Sequence, residues 1–269
     1  MVAYFRRQSG LFMAAGALLG VLFTALAYRR LMAPQQVFAR GFLMLVPILI
    51  GVIAGRVAAS RWASAKLNGI TALLYRDGDP EAFLARFEPV AGQVPPNTIE
   101  FFDARAKLAF ACEALGRFDE GLRQLDGLDA RSLRLHAMTG QATLCNQRAR
   151  LYLLKGDTER ANEAVGALEG LKSAASGRAP ALATQLANCI DLYTVWLQAL
   201  LGAEADQAYL QEEIELAKNR IHKSEMQLLL ARAKHAAGDG SGAEALLRDA
   251  AETGKGLYAG EEASRLLNG

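Results

Sequence analysis

The sequence predicts an all-α protein, with an N-terminal transmembrane helical hairpin followed by an α-solenoid of stacked helix pairs. Three observations carry that expectation. The first 76 residues hold nine Lys/Arg and no Asp or Glu. Two long uncharged apolar runs lie in the same stretch. From Trp62 onward, apolar residues recur at helical spacing without strand-like alternation, and five similar glycine turns follow one another. The chain has 269 residues, 52% of them apolar and 22% charged, with a formal net charge of +2. That balance excludes a disordered or collagen-like chain. Three cysteines are too few for a disulfide scaffold and suit a reducing compartment.

The first expected span is Gln8–Tyr28, 21 uncharged residues bracketed by Arg6, Arg7, Arg29 and Arg30. At the helical rise it covers about 31 Å, enough for a hydrocarbon core of about 30 Å. The second is Gly41–Ser60, in which Arg56 lies near one end and can extend its stem toward the headgroups. Pro47 inside it removes a backbone hydrogen bond and predicts a kink. The hairpin is thus expected over residues 1–64, with spans near 8–28 and 41–60. A buried soluble hairpin accounts poorly for two arginine-flanked runs without an acid. Ala25-Leu26-Ala27 has the form of a signal-peptidase site, but Arg29 and Arg30 directly after it oppose export. The loop between the spans carries Arg29, Arg30 and Arg40, and the outer flanks carry Arg6, Arg7, Arg56, Arg61 and Lys66. Positive charge stays inside, so both ends are expected in the cytoplasm, with the cell membrane as the location. Gly16 with Gly20, and Gly51 with Gly55, form small-xxx-small pairs. Such pairs let helix backbones approach closely, so the spans are expected to pack on each other or on a second copy.

Residues 65–269 are expected to form the helical repeat domain. Its corners are Gly78-Asp79, Gly116-Arg117, Gly156-Asp157, Gly202-Ala203 and Gly238-Asp239, with spacings of 38, 40, 46 and 36. A glycine suits the left-handed cap that ends one helix, and a following acid suits the start of the next. A period near 40 means stacked helix pairs, because one pair cannot bury its apolar face alone. Five units give ten helices, with Leu257–Leu267 as a capping helix whose Glu261, Glu262 and Arg265 leave one face wet. Pro89, Pro95 and Pro96 mark a longer connection after the first pair, and Ser173–Pro180 marks another.

The stretch Leu108 to Leu122 resembles a tetratricopeptide repeat, as do Ala149 to Ala161 and Leu230 to Ala243. In that family a small residue of the first helix packs on a small residue of the second. The resemblance implies the pairs Ala109 with Gly121, Ala149 with Ala161, and Ala231 with Ala243. The fourth unit has Val195 and Gln207 at those places. The family's usual period is about 34, so these units need longer loops. The resemblance further implies a concave groove, lined by the inner helices, that takes a peptide. Its positions here would be Asp103, Phe110, Glu113, Asn146, Arg150, Trp196, Arg232 and His235. Arginine offers a bidentate fork, so a carboxylate beside an apolar side chain is the expected ligand chemistry. Trp196 also suits a core position.

No catalytic constellation is visible. His136, His222 and His235 are isolated from other ligand-type residues, and Cys112, Cys145 and Cys189 form no CxxC. No enzymatic activity, metal or cofactor is therefore expected. Beyond residue 76 there are 21 Lys/Arg against 28 Asp/Glu, which argues against nucleic-acid binding. The basic N-terminal residues suit anionic lipid instead. Two functions follow. The first is a membrane-anchored adaptor or scaffold that binds a protein or peptide in the groove. The alternative is a structural membrane protein, a homo-oligomer held by the glycine pairs, with the solenoid serving assembly.

Overall fold

The computed structural model describes the backbone of residues 6–31 and 37–269 and the side chains of residues 10–26 and 45–269. The turn expected between the two spans falls on 32–36, outside the described residues, and so do the side chains of Arg6, Arg7, Arg29, Arg30 and Arg40. Twelve α-helices and one 3₁₀ segment make up the described chain, with no strand among them. It divides into two compact units, Met1–Thr71 and Ala72–Gly269.

The first unit contains α1 (Arg6–Leu31) and most of α2 (Val37–Tyr75). A Cβ added to Gly16 would strike the Gly51 carbonyl, and one added to Gly55 would strike the Phe12 carbonyl. A Cβ on Gly20 would stand 2.6 Å from the Pro47 carbonyl oxygen. Contacts that climb α1 while descending α2 mean that the helices run antiparallel. Gly16, Gly20, Gly51 and Gly55 all lie at this crossing, where only a glycine allows the backbones to meet. Phe12 and Trp62 extend it, with ring centroids 6.0 Å apart. The other faces point away from the protein: Leu18, Leu19 and Phe23 on α1, and Leu49, Ile50 and Ile53 on α2, are exposed. Pro47 lies inside α2 without ending it.

One sequence expectation, the end of the second helix, changes here. Among the described residues one helix, Leu45–Tyr75, is long and apolar enough to cross a membrane, while Gly10–Leu26 is apolar but shorter. Helix α2 does not stop near Ser60 or at the expected boundary of 64. The acid-free sequence through Trp62, Leu67 and Leu73 has good helix formers and no proline, and Gly69 alone does not stop it, so the helix continues to Tyr75.

The second unit contains α3 (Pro80–Ala91), α4 (Ile99–Ala114), α5 (Phe118–Leu125), the 3₁₀ segment Ala130–His136, α6 (Ala137–Lys155), α7 (Thr158–Ala175), α8 (Pro180–Leu200), α9 (Gln207–Leu216), α10 (Arg220–Ala236), α11 (Gly240–Thr253) and α12 (Tyr258–Leu267). All five corner glycines have positive φ, between 62° and 84°. The acids after them cap the next helices: Asp79 accepts from Ala82 N–H at 2.9 Å, Asp157 from Arg160 at 3.2 Å, and Asp239 from Gly242 at 2.9 Å. At the Gly202 corner the cap falls to Asp206, which accepts from Tyr209 at 3.0 Å. Arg117 follows Gly116 and caps nothing with its side chain.

One expected small pair meets directly, and the members of the other two are buried. A Cβ on Gly121 would meet the Ala109 carbonyl at 3.2 Å. Ala149, Ala161, Ala231 and Ala243 are buried. Ser173 belongs to α7, so the expected Ser173–Pro180 connection shrinks to residues 176–179. Pro89 lies in the last turn of α3 rather than in a connection, because a proline's fixed φ suits a helix and its missing N–H costs one bond there.

The last helices close the unit on itself. Ten of the 17 residues of α10 are buried, so it is a central helix with no free inner face. It packs against α8, α9, α11 and α12. Helix α12 is more than a cap with a wet face. Its Tyr258 meets Phe118 of α5 edge-on at 4.8 Å and donates to the Leu154 carbonyl at 3.3 Å. Gly260 lies so near Gly254 that neither tolerates a Cβ, which lets α12 fold back tightly.

Candidate functional site

Two places collect the chemistry-bearing side chains of the second unit. The first is a buried polar cluster at its centre. Arg150, on α6, donates from Nε and Nη2 to Glu113 Oε1 of α4 at 2.8 and 2.6 Å. The same Nη2 donates to Glu225 Oε2 of α10 at 2.8 Å. Gln147, one helical turn before Arg150, donates to the other Glu113 oxygen. Phe110 lies under the guanidinium, 5.6 Å from its ring centre, and stacks on Tyr75 at 5.7 Å. Beside them, Tyr193 of α8 donates to Asn146 Oδ1 at 2.7 Å.

Glu113 is fully buried and Glu225 nearly so, and one guanidinium serves both. Burial pushes the Glu113 carboxyl up, Arg150 opposes that, and the like charge of Glu225 adds to it; the result is about 7. Burial works against the Arg150 charge, but the two carboxylates outweigh it and hold the guanidinium protonated above its ordinary range. Burial raises the Tyr193 phenol as well. Such a cluster clamps α4, α6 and α10 together. Its Glu113 carboxylate is sealed from water and cannot meet a ligand.

The second place is a pocket of about 570 Å³ at the ends of α6, α8 and α10, closed on one side by α12. Arg232 and His235 of α10 line it together with Leu154, Leu200, Leu247 and Leu266. Arg232 is held by Glu262 at 2.8 Å, and Arg265 grips the same carboxylate at 2.8 Å. These two contacts keep Glu262 below the ordinary carboxylate range, with Arg265 the larger cause. His235 is exposed at the rim. The pocket thus joins an apolar floor to an arginine fork and an imidazole.

The expected groove residues therefore divide. Phe110, Glu113, Asn146 and Arg150 come together, but in the interior rather than along an open groove. Trp196 is buried in the main core with Leu153, Leu210 and Leu229. Arg232 and His235 do share an accessible pocket. Asp103 lies apart, paired with Lys107 on its own helix. The correction for Glu113 and Trp196 has one cause: α10 packs over them, with Glu225 on the Glu113–Arg150 pair and Leu229 in the core around Trp196. Glu225, Gln147 and Tyr193 had escaped the sequence reading. Nothing in the sequence marked Glu225, which follows His222, Lys223 and Ser224 and precedes Met226-Gln227.

Among the described residues no group of three or more His, Cys, Asp or Glu is placed to hold a metal ion. No family model, curated protein or solved structure matches the chain.

Proposed function

We propose that this chain is a membrane-anchored adaptor. Helix α1 and the N-terminal part of α2 cross the bilayer as a hairpin. Tetratricopeptide-like helix pairs stand outside it, and a protein or peptide binds them at the Arg232–His235 pocket. The observation that carries the anchor is the outward apolar surface of the first two helices. Leu18, Leu19 and Phe23, and Leu49, Ile50 and Ile53, find no protein neighbour to cover them. A contiguous surface of that kind is rare on water-soluble monomers and ordinary against lipid. Thr24 supports it too, since its hydroxyl donates to the Gly20 carbonyl at 2.8 Å and is satisfied without water. The buried small pairs Ala149–Ala161 and Ala231–Ala243 support the repeat likeness.

The partner chemistry follows from the pocket: a carboxylate that takes the place of Glu262 on Arg232, leaving Glu262 to Arg265, beside an aliphatic side chain for Leu200, Leu247 and Leu266. Anchoring raises the local concentration of such a site toward other membrane proteins, so modest affinity suffices. The count of flanking arginines favours the cytoplasmic side of the cell membrane. The rival reading, self-association through the glycine pairs, is weakened because those glycine surfaces are already covered by the other helix of the same chain.

Two measurements test the proposal. Alkaline carbonate should leave the full chain in the membrane pellet; extraction would refute the anchor. A photo-crosslinking residue at His235, used in intact membranes, should give a discrete adduct that disappears with Arg232→Glu. An adduct indifferent to that change would remove the pocket from the proposal.

A further inference from the structure

The segment between α5 and α6 is built in an unusual way. Residues Ala130–His136 form a 3₁₀ segment interrupted at Arg134, where φ is 51° and ψ is −106°. An arginine holds such a conformation only when its surroundings impose it. The surroundings do so here. Asp129 accepts from Arg131 N–H at 2.9 Å. The Asp129 carbonyl takes both the Ser132 N–H, at 3.2 Å, and the Ser132 hydroxyl, at 2.7 Å. Leu133 is seated on Gly140 and packs against the cluster of Phe102, Leu125 and Leu144.

The reversal at Arg134 sends Leu133 inward and Leu135 outward. Leu135 is 98% exposed, against 71% for Leu11 in the apolar face of α1. Arg131, Arg134 and His136 are exposed around it. No acid falls within 130–136; Asp126 and Asp129 precede it, and Asp129 turns one carboxylate oxygen back to the Arg131 N–H.

We infer that this segment is a second, surface contact with the membrane: Leu135 enters the headgroup–acyl boundary of an anionic leaflet, and Arg131 and Arg134 bind its phosphates. One leucine and two arginines would hold a free protein weakly. They suffice for a unit already tethered nearby, so the inference rests on the membrane-anchored reading. The mix of one fully exposed apolar side chain and flanking guanidiniums fits a lipid surface, where the apolar group gains a medium and the cations stay at the headgroups. An acidic peptide would use the same charges but leave Leu135 needing a pocket of its own.

The test uses the full chain carrying Leu135→Cys, with Cys145 and Cys189 changed to Ser and buried Cys112 kept. A polarity-sensitive fluorophore is attached at 135, and the protein is incorporated into vesicles of pure phosphatidylcholine or of phosphatidylcholine with 30% phosphatidylglycerol. Flotation after carbonate reports the anchor, and the emission of the label reports the contact. The expected result is carbonate-resistant flotation on both vesicles, with a blue shift on the anionic vesicles alone that is lost on Arg131→Glu/Arg134→Glu. Flotation on both with an aqueous label throughout would overturn the contact and leave the anchor standing. A shift equal on both vesicles, or one that appears only when another protein is added, would also overturn it. Binding to anionic vesicles alone, washed off by carbonate and accompanied by the shift, would support the contact and refute the anchor. Failure to bind either would refute both.

Discussion

The two units use the same side chains in opposite ways. In the first, leucines, isoleucines and valines of α1 and α2 face outward, and the buried surface is made of glycine and alanine: Gly16, Gly20, Gly55, Ala59 and Ala63. In the second, Leu74, Phe83, Phe87, Leu151, Leu168 and Leu229 are inside, and the outside is charged. Water drives the second arrangement, since covering apolar surface yields about 25 cal/mol per Å². It does not explain the first, where the bulky groups are left bare and helix backbones touch instead. Close packing through small residues is what helices use when their surroundings are already apolar. The difference teaches that the proposed anchor requires two units folded for two solvents, one of them lipid.

The largest effect expected from that contrast lies at the centre of the second unit. Arg150→Met leaves Glu113 and Glu225 buried together without their shared cation, and should destabilise the helical unit by about 3–5 kcal/mol near pH 8. Thermal unfolding followed by circular dichroism reads this, and an unchanged midpoint would show that the cluster does not clamp the helices.

Next comes the glycine crossing. Gly16→Ile meets the backbone of Gly51, whereas Gly10→Ile meets nothing within 4 Å. The first should weaken the α1–α2 contact by about 3 kcal/mol, the top of the usual overpacking range, and the second should be silent. Resistance of the detergent-solubilised chain to added sodium dodecyl sulfate separates them; equal behaviour would place the crossing elsewhere. Ala149→Leu is the matching change in the second unit. Ala149 and Ala161 are both fully buried, so the added methylenes should cost about 2 kcal/mol in the same thermal assay.

The smallest effect is a pH dependence. The folded Glu113 carboxyl stands at about 7, above its ordinary 4.5, so the folded chain holds that proton more tightly than the unfolded one. Its stability contribution is complete below the lower value and is lost as pH rises through about 7. The melting temperature should therefore fall between pH 5.5 and 8. Glu113→Gln, which keeps a partner for Gln147 and Arg150, should flatten that slope.

Much of the second unit was legible because its rules are local. A glycine followed by an acid is a left-handed cap and an N-cap within a few residues, and the five corners read that way except where Arg117 and Ala203 replace the acid. The Ala109–Gly121 pair, twelve residues apart, was legible for the same reason. The candidate sites were less so. Arg150 meets Glu225 across 75 residues, and no local period encodes that meeting. The return of α12 onto α10 and α11 depends on Gly254 and Gly260 lying back to back, and their spacing alone does not announce it. Arg134 shows the limit most plainly, because nothing in Ser132-Leu133-Arg134-Leu135 marks which leucine turns outward.

Matched cysteines give the most direct test of the difference between the units. Leu18 and Ile50 are 63% and 60% exposed in the first unit, and Leu201 and Leu216 are 67% and 63% exposed in the second. Each is replaced singly by Cys in the full chain, with Cys145 and Cys189 changed to Ser and buried Cys112 kept, and treated in opened native membranes with a water-soluble maleimide. The account predicts rapid labelling at 201 and 216, and protection at 18 and 50 until detergent is added. Equal labelling at all four positions would mean that water, not lipid, covers α1 and α2, and would contradict it.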